Sequence, residues 1–225
     1  MDSKKQKQER SGIKQKFRMR PMEVSDSTIV ADWYQQIEDI SIFDRQIPVP
    51  LNRTEVRQLV ETIVADREKE KSMWFMIDHE NGEAVGMTGL ESLNSLHGNA
   101  ILPVFVAKQW RGSGIGIRMV CMILDLAFRQ LRLHRVATVF RSDNEASRVI
   151  ARRCGFTEEG ISREAWFNHG KHLDLVNVGL LADEWEKTRL ELMAKLDSAV
   201  TLELGPRPTD AWIWPGTVGK KLDNN

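Results

Sequence analysis

Apolar residues recur along the chain at two spacings, and these spacings divide most of it into strands and helices. Short alternating or continuous apolar runs are typical of strands, whereas an apolar stripe every three or four residues is typical of a helix packed on a sheet. Strands are predicted at 17–20, 73–77, 83–90, 100–106, 135–140, 156–159 and 172–181. Helices are predicted at 26–38, 54–71, 115–131, 145–153 and 183–196, and residues 39–52, with Pro48 and Pro50, are predicted to be a loop.

The order of these elements favours one mixed α/β domain over residues 17–196. Asn81-Gly82, between the second and third predicted strands, is the strongest short signal for a β-hairpin. The three strands from residue 73 to residue 106 therefore predict an antiparallel meander. No internal repeat and no linker divides this part of the chain.

Both ends of the chain depart from the pattern. Residues 1–16 carry six Lys or Arg residues and hardly any aliphatic side chain, which predicts a basic, solvated tail. Residues 197–225 are rich in Pro and Gly around Trp212 and Trp214 and are predicted to be a C-terminal extension. Three placements stay open for the two indole rings: over a substrate pocket, against a neighbouring subunit, or in a disordered tail.

The charge balance and the cysteines exclude several classes of protein. Lys plus Arg and Asp plus Glu both number 32 among 225 residues, so a formal net charge of +0 gives no overall field that attracts nucleic acid or an anionic membrane. Cys121 and Cys154 lack the spacing of metal ligands. No apolar run approaches the roughly 18 residues that span a bilayer. We therefore expect a cytoplasmic protein with no metal, no nucleic-acid partner and no membrane partner.

The strongest chemical signal is a glycine-rich turn, Arg111-Gly112-Ser113-Gly114-Ile115-Gly116, between a predicted strand and a predicted helix. Backbone N–H groups at such a helix start bind anions, and the helix dipole reinforces them. A P-loop is disfavoured because Ile117 and Arg118 follow in place of its Lys and Ser/Thr. A dinucleotide fingerprint is disfavoured because Ile117 stands where its last glycine is needed.

The ordered motifs resemble the GNAT superfamily of N-acetyltransferases. The family's acetyl-CoA loop has the form Gln/Arg-x-x-Gly-x-Gly/Ala, which residues 111–116 match, and further motifs follow in the family's order over residues 72–185. They include Leu133-His134-Arg135-Val136, Asn144-Glu145-Ala146-Ser147 and Gly155-Phe156. In the residues of these motifs, the sequence most resembles the branch of the ribosomal-protein-alanine N-terminal acetyltransferases. The resemblance implies an enzyme that transfers an acetyl group from acetyl-CoA directly to a primary amine, of a small molecule or of a protein N-terminus.

The resemblance also implies the fold and the acetyl-CoA site. The fold would be a mixed, seven-stranded central sheet flanked by helices, whose fourth and fifth strands splay apart to admit acetyl-CoA. Pro103, which has no N–H group, is consistent with an interrupted ladder in the fourth strand. The residues implied to bind acetyl-CoA are Phe105, Val106, Arg111, Gly112, Ser113, Gly114, Ile115, Gly116, Asn144 and Ser147.

Three of these residues receive particular roles from the resemblance. The N–H group of Val106 would polarise the thioester carbonyl and stabilise its oxyanion. Ser147 would support the departing thiolate, or it is an ordinary exposed helix residue. Asn144 would cap its helix, reach the pantetheine arm, or do both.

The sequence lacks the tyrosine and the glutamates that relatives have at three positions. Ala151 stands where many members have a general-acid tyrosine, and Ile101 and Trp166 stand where relatives have glutamates. These departures leave open a second hypothesis, a non-catalytic CoA-binding sensor or scaffold. A homodimer is also considered, because an exposed pair of tryptophans is costly to leave in water, and Trp212 and Trp214 could be buried against a second copy.

The amine must lose a proton before it attacks, so a proton acceptor is needed. The catalytic candidates are Glu91 and Asp174, with Glu164 and His172 as alternatives. The acceptor pocket is expected along 39–52, especially at Ile42, Phe43 and Asp44, and at Trp166-Phe167. Asp39 and Asp44 would suit a cationic substrate, or they are solvated loop acids.

Overall fold

The computed structural model describes residues 14–43, 49–68, 71–205 and 212–216. Its strands are β1 Gln15–Pro21, β2 Met73–His79, β3 Ala84–Asn94, β4 Asn99–Ile101, β5 Val104–Val106, β6 Arg135–Arg141, β7 Thr157–Asn168, β8 Lys171–Leu181, β9 Val200–Leu204 and β10 Ile213–Trp214. Its helices are α1 Ser27–Trp33, α2 Ile37–Phe43, α3 Arg53–Glu68, α4 Ile115–Asp125, α5 Glu145–Cys154 and α6 Ala182–Lys195. A π-helical turn, Leu126–Gln130, extends α4.

The strands form one mixed sheet in the order β10-β9-β1-β2-β3-β4-β6-β8-β7, and β5 pairs with β3 off this path. The ladder is antiparallel except at two places, where β1 lies parallel to β9 and β4 lies parallel to β6. The predicted hairpin at Asn81-Gly82 is confirmed, because β2 and β3 pair antiparallel and Gly82 has a φ of 86°.

The expected splay of the sheet is confirmed, and its origin lies at Leu102 and Pro103. Before them, β4 pairs with β3 and also with β6. After them, within the described part of the chain, β5 pairs with β3 alone, and residues 138–141 of β6 pair only with β8. The last bond across the gap runs from the Leu102 N–H to the Ala137 carbonyl, at 2.8 Å, and Pro103 has no N–H to continue it. The sheet opens into two arms beyond this point.

Among the described residues the sheet has ten strands, not the seven that the resemblance implied. One extra strand arises because the predicted strand 100–106 is divided into β4 and β5. The other two, β9 and β10, come from the predicted C-terminal extension. The boundary predicted at residue 196 is therefore wrong, because β9 pairs with β1 and β10 pairs with β9. At the other end, β1 begins at Gln15, and residues 1–13 of the predicted tail lie outside the described residues.

The predicted helix 26–38 is also divided, and part of the predicted loop is helical. Helix α1 ends at Trp33, and α2 then covers residues 37–43. The reason is tertiary packing, which a propensity pattern does not register: Phe43 of α2 contacts Trp74 and Phe105, with ring centroids 6.2 Å and 5.4 Å apart. Asp44, one of the predicted pocket residues, lies outside the described part of the chain.

Helix α4 is the centre of the core, because most of its residues are buried. Its last residue, Asp125, is 1% exposed and accepts four hydrogen bonds. The donors are the indole N–H groups of Trp185 and Trp214, each at 2.9 Å, and two nitrogens of Arg189, at 2.7 Å and 2.9 Å. Trp214 is 0% exposed. Of the three placements left open for the C-terminal indoles, none is correct for Trp214, which fills the core of its own chain.

Two further buried groups lie where α4 and α5 meet. Cys121 and Cys154 are both fully buried free thiols, and the two are hydrogen-bonded neighbours although 33 positions separate them. Burial raises the pKa of the Cys121 thiol well above its ordinary value. Cys121 is therefore in the neutral thiol form, and both side chains pack as core groups.

No helix among the described residues is long and apolar enough to cross a membrane. In the same part of the chain, no group of three or more His, Cys, Asp or Glu side chains has the geometry to hold a metal ion.

Replacement of the buried carboxylate tests the role of Asp125. We expect Asp125→Asn to lower the free energy of unfolding by about 3–5 kcal/mol, because it leaves Arg189 buried without its counter-charge. Urea unfolding at neutral pH measures this change. Glu186→Gln is the matched control: its ion pair with Arg129 at 2.8 Å is half exposed, so its loss should cost about 0–1 kcal/mol. A cost below 1 kcal/mol for Asp125→Asn would contradict the assignment.

Candidate active site

The free edge of β5 borders the gap between the two arms of the sheet. The Ala107 N–H donates to the Val85 carbonyl at 2.9 Å, so Ala107 faces β3. Because successive residues of a strand point their N–H groups in opposite directions, those of Val106 and Val104 point away from β3. The Val106 carbonyl points the same way, since it accepts a bond from Arg111 at 2.9 Å. The edge therefore presents two N–H groups to the gap, of which only that of Val106 was predicted.

Phe105 is a correction to the predicted acetyl-CoA site. The same alternation directs its backbone N–H and carbonyl at Met87 of β3, its partner in the ladder. Its side chain is 6% exposed and packs against Trp33 and Phe43. Neither part of Phe105 reaches the gap, so the residue supports β5 from the core side.

The loop after β5 is fixed to the β2–β3 hairpin. Trp110 is 4% exposed, and its indole N–H donates to the Glu83 carboxylate at 3.0 Å, while the Gln109 amide donates to the same oxygen at 3.2 Å. The bond from Trp110 holds the pKa of Glu83 below its ordinary value. The Trp110 ring also packs on His79, at 4.8 Å between centroids. The residues before the glycine-rich turn are thus held in place by the core.

The glycine-rich turn forms the start of α4, as predicted. Gly112 and Gly114 have φ values of 77° and 86°, which favour glycine, and Gly114 is the residue that precedes the helix. The first N–H groups of a helix have no carbonyl partner within it, so the start of α4 presents backbone donors for an anion. Two predicted donors are engaged within the turn: the Ile115 N–H bonds to Ser113 Oγ and the Ser113 N–H bonds to the Trp110 carbonyl, both at 3.3 Å.

Arg111 has different partners from the predicted diphosphate. Its Nε donates to the Val106 carbonyl, and its Nη2 lies 2.8 Å from Asp39 of α2. The Asp39 side chain is 9% exposed, so this carboxylate is a partner of Arg111 and not the solvated acid or the free cation site that the sequence left open. Arg111 thus links β5 with the helix on the acceptor side.

The other arm of the sheet holds the same helix. Arg141, at the end of β6, is 5% exposed and donates from Nη1 to the Ser41 carbonyl of α2 at 2.9 Å. Its other nitrogens bind Asp143, whose pKa the guanidinium lowers. Helix α2 is therefore bound by one arginine from each arm. Sequence reasoning missed this role of Arg141, since no periodicity or motif singles it out.

The middle of α5 lies next to the turn and to β5. A Cβ atom placed on Gly116 would contact Ile150 of α5 at 3.4 Å and Val106 of β5 at 3.5 Å, so these three elements meet at Gly116. Asn144 caps α5, because its Oδ1 accepts the Ser147 N–H at 3.1 Å. This confirms the capping role. Ser147 is half-buried one turn into the same helix.

The two carboxylates predicted as candidate proton acceptors, Glu91 and Asp174, lie on opposite faces of the sheet. Glu91 pairs with Ile101, Ile101 with Ala137, and Ala137 with Gly179, which places Glu91 on the same face as these residues. Asp174 lies five residues before Gly179 on β8, so it points to the other face. Its carboxylate accepts the Glu164 N–H at 2.8 Å. Arg141 shares the face of Glu91, four residues after Ala137, and therefore α2 covers that face as well.

The two alternative candidates for the proton acceptor, Glu164 and His172, are both exposed. Glu164 is exposed at a bulge of β7 with a φ of 52°, and the exposed His172 packs on Phe167 at 5.0 Å between ring centroids. Of the predicted pocket aromatics, Phe167 is 63% exposed whereas Trp166 is 8% exposed. Ala151, at the position of the family's tyrosine, is buried against Phe140 and Val176 and carries no acid.

Comparison with known proteins agrees with this geometry. The chain is 37% identical over 106 residues to the protein named "Putative ribosomal N-acetyltransferase YdaF" of Bacillus subtilis, covering 47% of this chain and 58% of that protein. It is 24% identical over 111 residues to a spermidine N(1)-acetyltransferase of Vibrio cholerae, covering 49% of this chain and 64% of that protein. The chain thus spans less than two thirds of the length of these two relatives.

A solved structure shows the same fold. The crystal structure of the Vibrio cholerae spermidine N-acetyltransferase in complex with CoA and spermine superposes with a TM-score of 0.69 at 20% identity, over 76% of this chain and 98% of that one. The model of the acetyltransferase (GNAT) domain matches residues 16–157, more than half of the chain. The chain therefore belongs to the GNAT family of acetyltransferases.

Proposed function

We propose that this protein transfers an acetyl group from acetyl-CoA to a primary amine of a small molecule or of a protein N-terminus. The observation that carries the proposal is the meeting of three elements at Gly116: strand β5, which has a free edge, the start of α4, which presents backbone donors for an anion, and the middle of α5. Acetyl-CoA supplies an acetyl thioester, whose C–S bond breaks as the N–C bond to the amine forms.

The residues present suit the parts of acetyl-CoA. The N–H groups of Gly112, Gly114 and Gly116 at the start of α4 would hold the diphosphate, since they combine backbone donors with the positive end of the helix dipole. The N–H groups of Val104 and Val106 would bind the pantetheine arm and polarise the thioester carbonyl. The pantetheine arm would lie along β5 as an added strand does, because β5 has no second neighbouring strand among the described residues.

Glu91 is the better of the two candidate proton acceptors. It lies directly opposite Ile101, the position where the family often has a glutamate, and such cross-strand neighbours have Cβ atoms about 5 Å apart. It also shares the face that α2 covers, where the acceptor is expected. Asp174 lies on the opposite face and binds the backbone of the β7 bulge. Ser147 would act separately: its hydroxyl would donate a hydrogen bond to the departing thiolate.

The identity of the acceptor rests on fewer observations. Relatives are named for spermidine and for ribosomal substrates. In this chain the Asp39 carboxylate is engaged by Arg111, so it is not offered to a polyamine. Exposed apolar side chains lie on α2 instead, at Ile37 and Ile42. The cytoplasmic location and the pairing of two copies stay predictions from the sequence.

Transfer and donor binding are tested together on the full-length protein. We expect acetyl-CoA to bind with micromolar affinity in calorimetry and free thiol to appear when a panel of amines, including spermidine and peptides with free N-termini, is added. Binding without thiol release on any amine would favour the non-catalytic sensor. The absence of binding by acetyl-CoA and by other acyl-CoA donors would reject the proposal.

Glu91→Gln tests the proton acceptor. We expect kcat to fall about 100-fold at neutral pH, because a positioned general base contributes on the order of 10² or more. The loss should shrink at high pH, where more of the amine is already neutral. Rates with a responsive amine from the panel, measured from pH 6 to pH 10, show both effects.

Asp174→Asn is the matched control, since it removes a carboxylate of the other face. It should leave kcat within about threefold. Equal losses in the two variants, or a loss in Asp174→Asn alone, would contradict the assignment of Glu91.

A further inference from the structure

Arg118 is a buried cation beneath the start of α4. It is 3% exposed, and its guanidinium donates to three backbone carbonyls. Nη1 binds the Gly114 carbonyl at 2.7 Å, Nε binds the Val200 carbonyl at 2.6 Å, and Nη2 binds the carbonyl of Asp197. Its donors are thus shared between the glycine-rich turn and the segment that leads into β9.

The charge of Arg118 has no acidic partner among the described residues. The Asp197 carboxylate, whose charge acts on Arg118, is on an exposed residue and accepts the Ala199 N–H at 2.9 Å. Burial lowers the pKa of Arg118 to about 10, so the guanidinium is still protonated at neutral pH. A charge of this kind is costly to bury unless it is compensated, and carbonyl dipoles supply only part of that compensation.

An anion that compensates the charge of Arg118 is expected near Gly114, where Nη1 of Arg118 lies. Gly114 precedes α4 and has a φ of 86°, and a Cβ atom there would lie 2.8 Å from Arg118 Nη1. The guanidinium is therefore one peptide group away from the backbone donors that face the anion site. At such a separation, within the poorly solvated core, a full positive charge acts on a bound anion without touching it.

We propose that Arg118 is the positioning residue and buried counter-charge for the diphosphate of the acyl-CoA donor, held under the glycine-rich turn by residues 197–200. The inference rests on the proposed function. The guanidinium fixes the Gly114 carbonyl, which keeps the backbone donors of the turn directed outward, and it adds its charge to the helix dipole. The C-terminal segment, through Asp197 and Val200, thereby becomes a part of the donor site.

The test separates the diphosphate from the rest of the donor. Acetylpantetheine carries the same thioester and arm as acetyl-CoA but no phosphate. In Arg118→Gln, which keeps a hydrogen-bond donor and removes the charge, we expect the KM for acetyl-CoA to rise about tenfold with kcat within about twofold. Reaction with acetylpantetheine should be unchanged. Arg118→Lys keeps the charge but cannot reach all three carbonyls, so the KM for acetyl-CoA should rise by about threefold.

Arg129→Gln is the matched control, because Arg129 lies beyond the opposite end of α4, where its ion pair with Glu186 is half exposed. It should leave the KM for both donors unchanged. Parallel losses for acetyl-CoA and acetylpantetheine in the Arg118 variants, or no loss in either, would overturn the inference. If Arg118→Gln does not fold, the KM values for acetyl-CoA and for acetylpantetheine are compared in Arg118→Lys instead. Failure of the unaltered protein to bind acetyl-CoA would instead reject the proposed function, before any variant is compared.

Discussion

The change of partner at Leu102 and Pro103 is the constraint on which the rest of the site depends. Up to Leu102 the chain closes the ladder between β3 and β6, and after Pro103 it follows β3 alone. A central strand without a second neighbour would leave backbone N–H groups unsatisfied, which is costly inside a protein. Here they border a gap that an extended ligand can fill, so the cost of the interrupted ladder is linked to the binding of the donor.

Helix α4, which borders this gap, is held at its two ends by side chains of opposite charge. At one end Asp125 accepts hydrogen bonds from Trp185, Trp214 and Arg189, and at the other end Arg118 donates to three backbone carbonyls. Both sets of bonds reach residues beyond 196. The last strands are therefore part of the domain: they extend the sheet at β1 and bind both ends of α4, whose first turn is the proposed diphosphate site. A rigid support of this kind preorganises backbone donors, which is what makes them effective.

The sequence predicted those parts of the fold whose signal is local. The stripe of α4, the hairpin at Asn81-Gly82 and the glycines before α4 follow from periodicity and backbone conformation, and the structure confirms them. Helix α2 and strands β9 and β10 escaped prediction because short elements owe their stability to partners distant in the chain. Phe105 was misassigned for a different reason: neighbouring residues of a strand face opposite ways, and sequence does not show which of two faces the gap.

The site residues divide in the same manner. Backbone donors at Gly112 to Gly116 were predictable because their chemistry depends on the local chain, whereas the partners of long side chains were not. Arg111 spans from the Val106 carbonyl to Asp39, and Arg141 spans to the Ser41 carbonyl. Because each arm of the splayed sheet holds α2 by one arginine, α2 bridges the two arms on the face that carries Glu91. Under the proposed function, the strands that would bind the donor and the helix that would cover the acceptor are therefore linked by these two side chains.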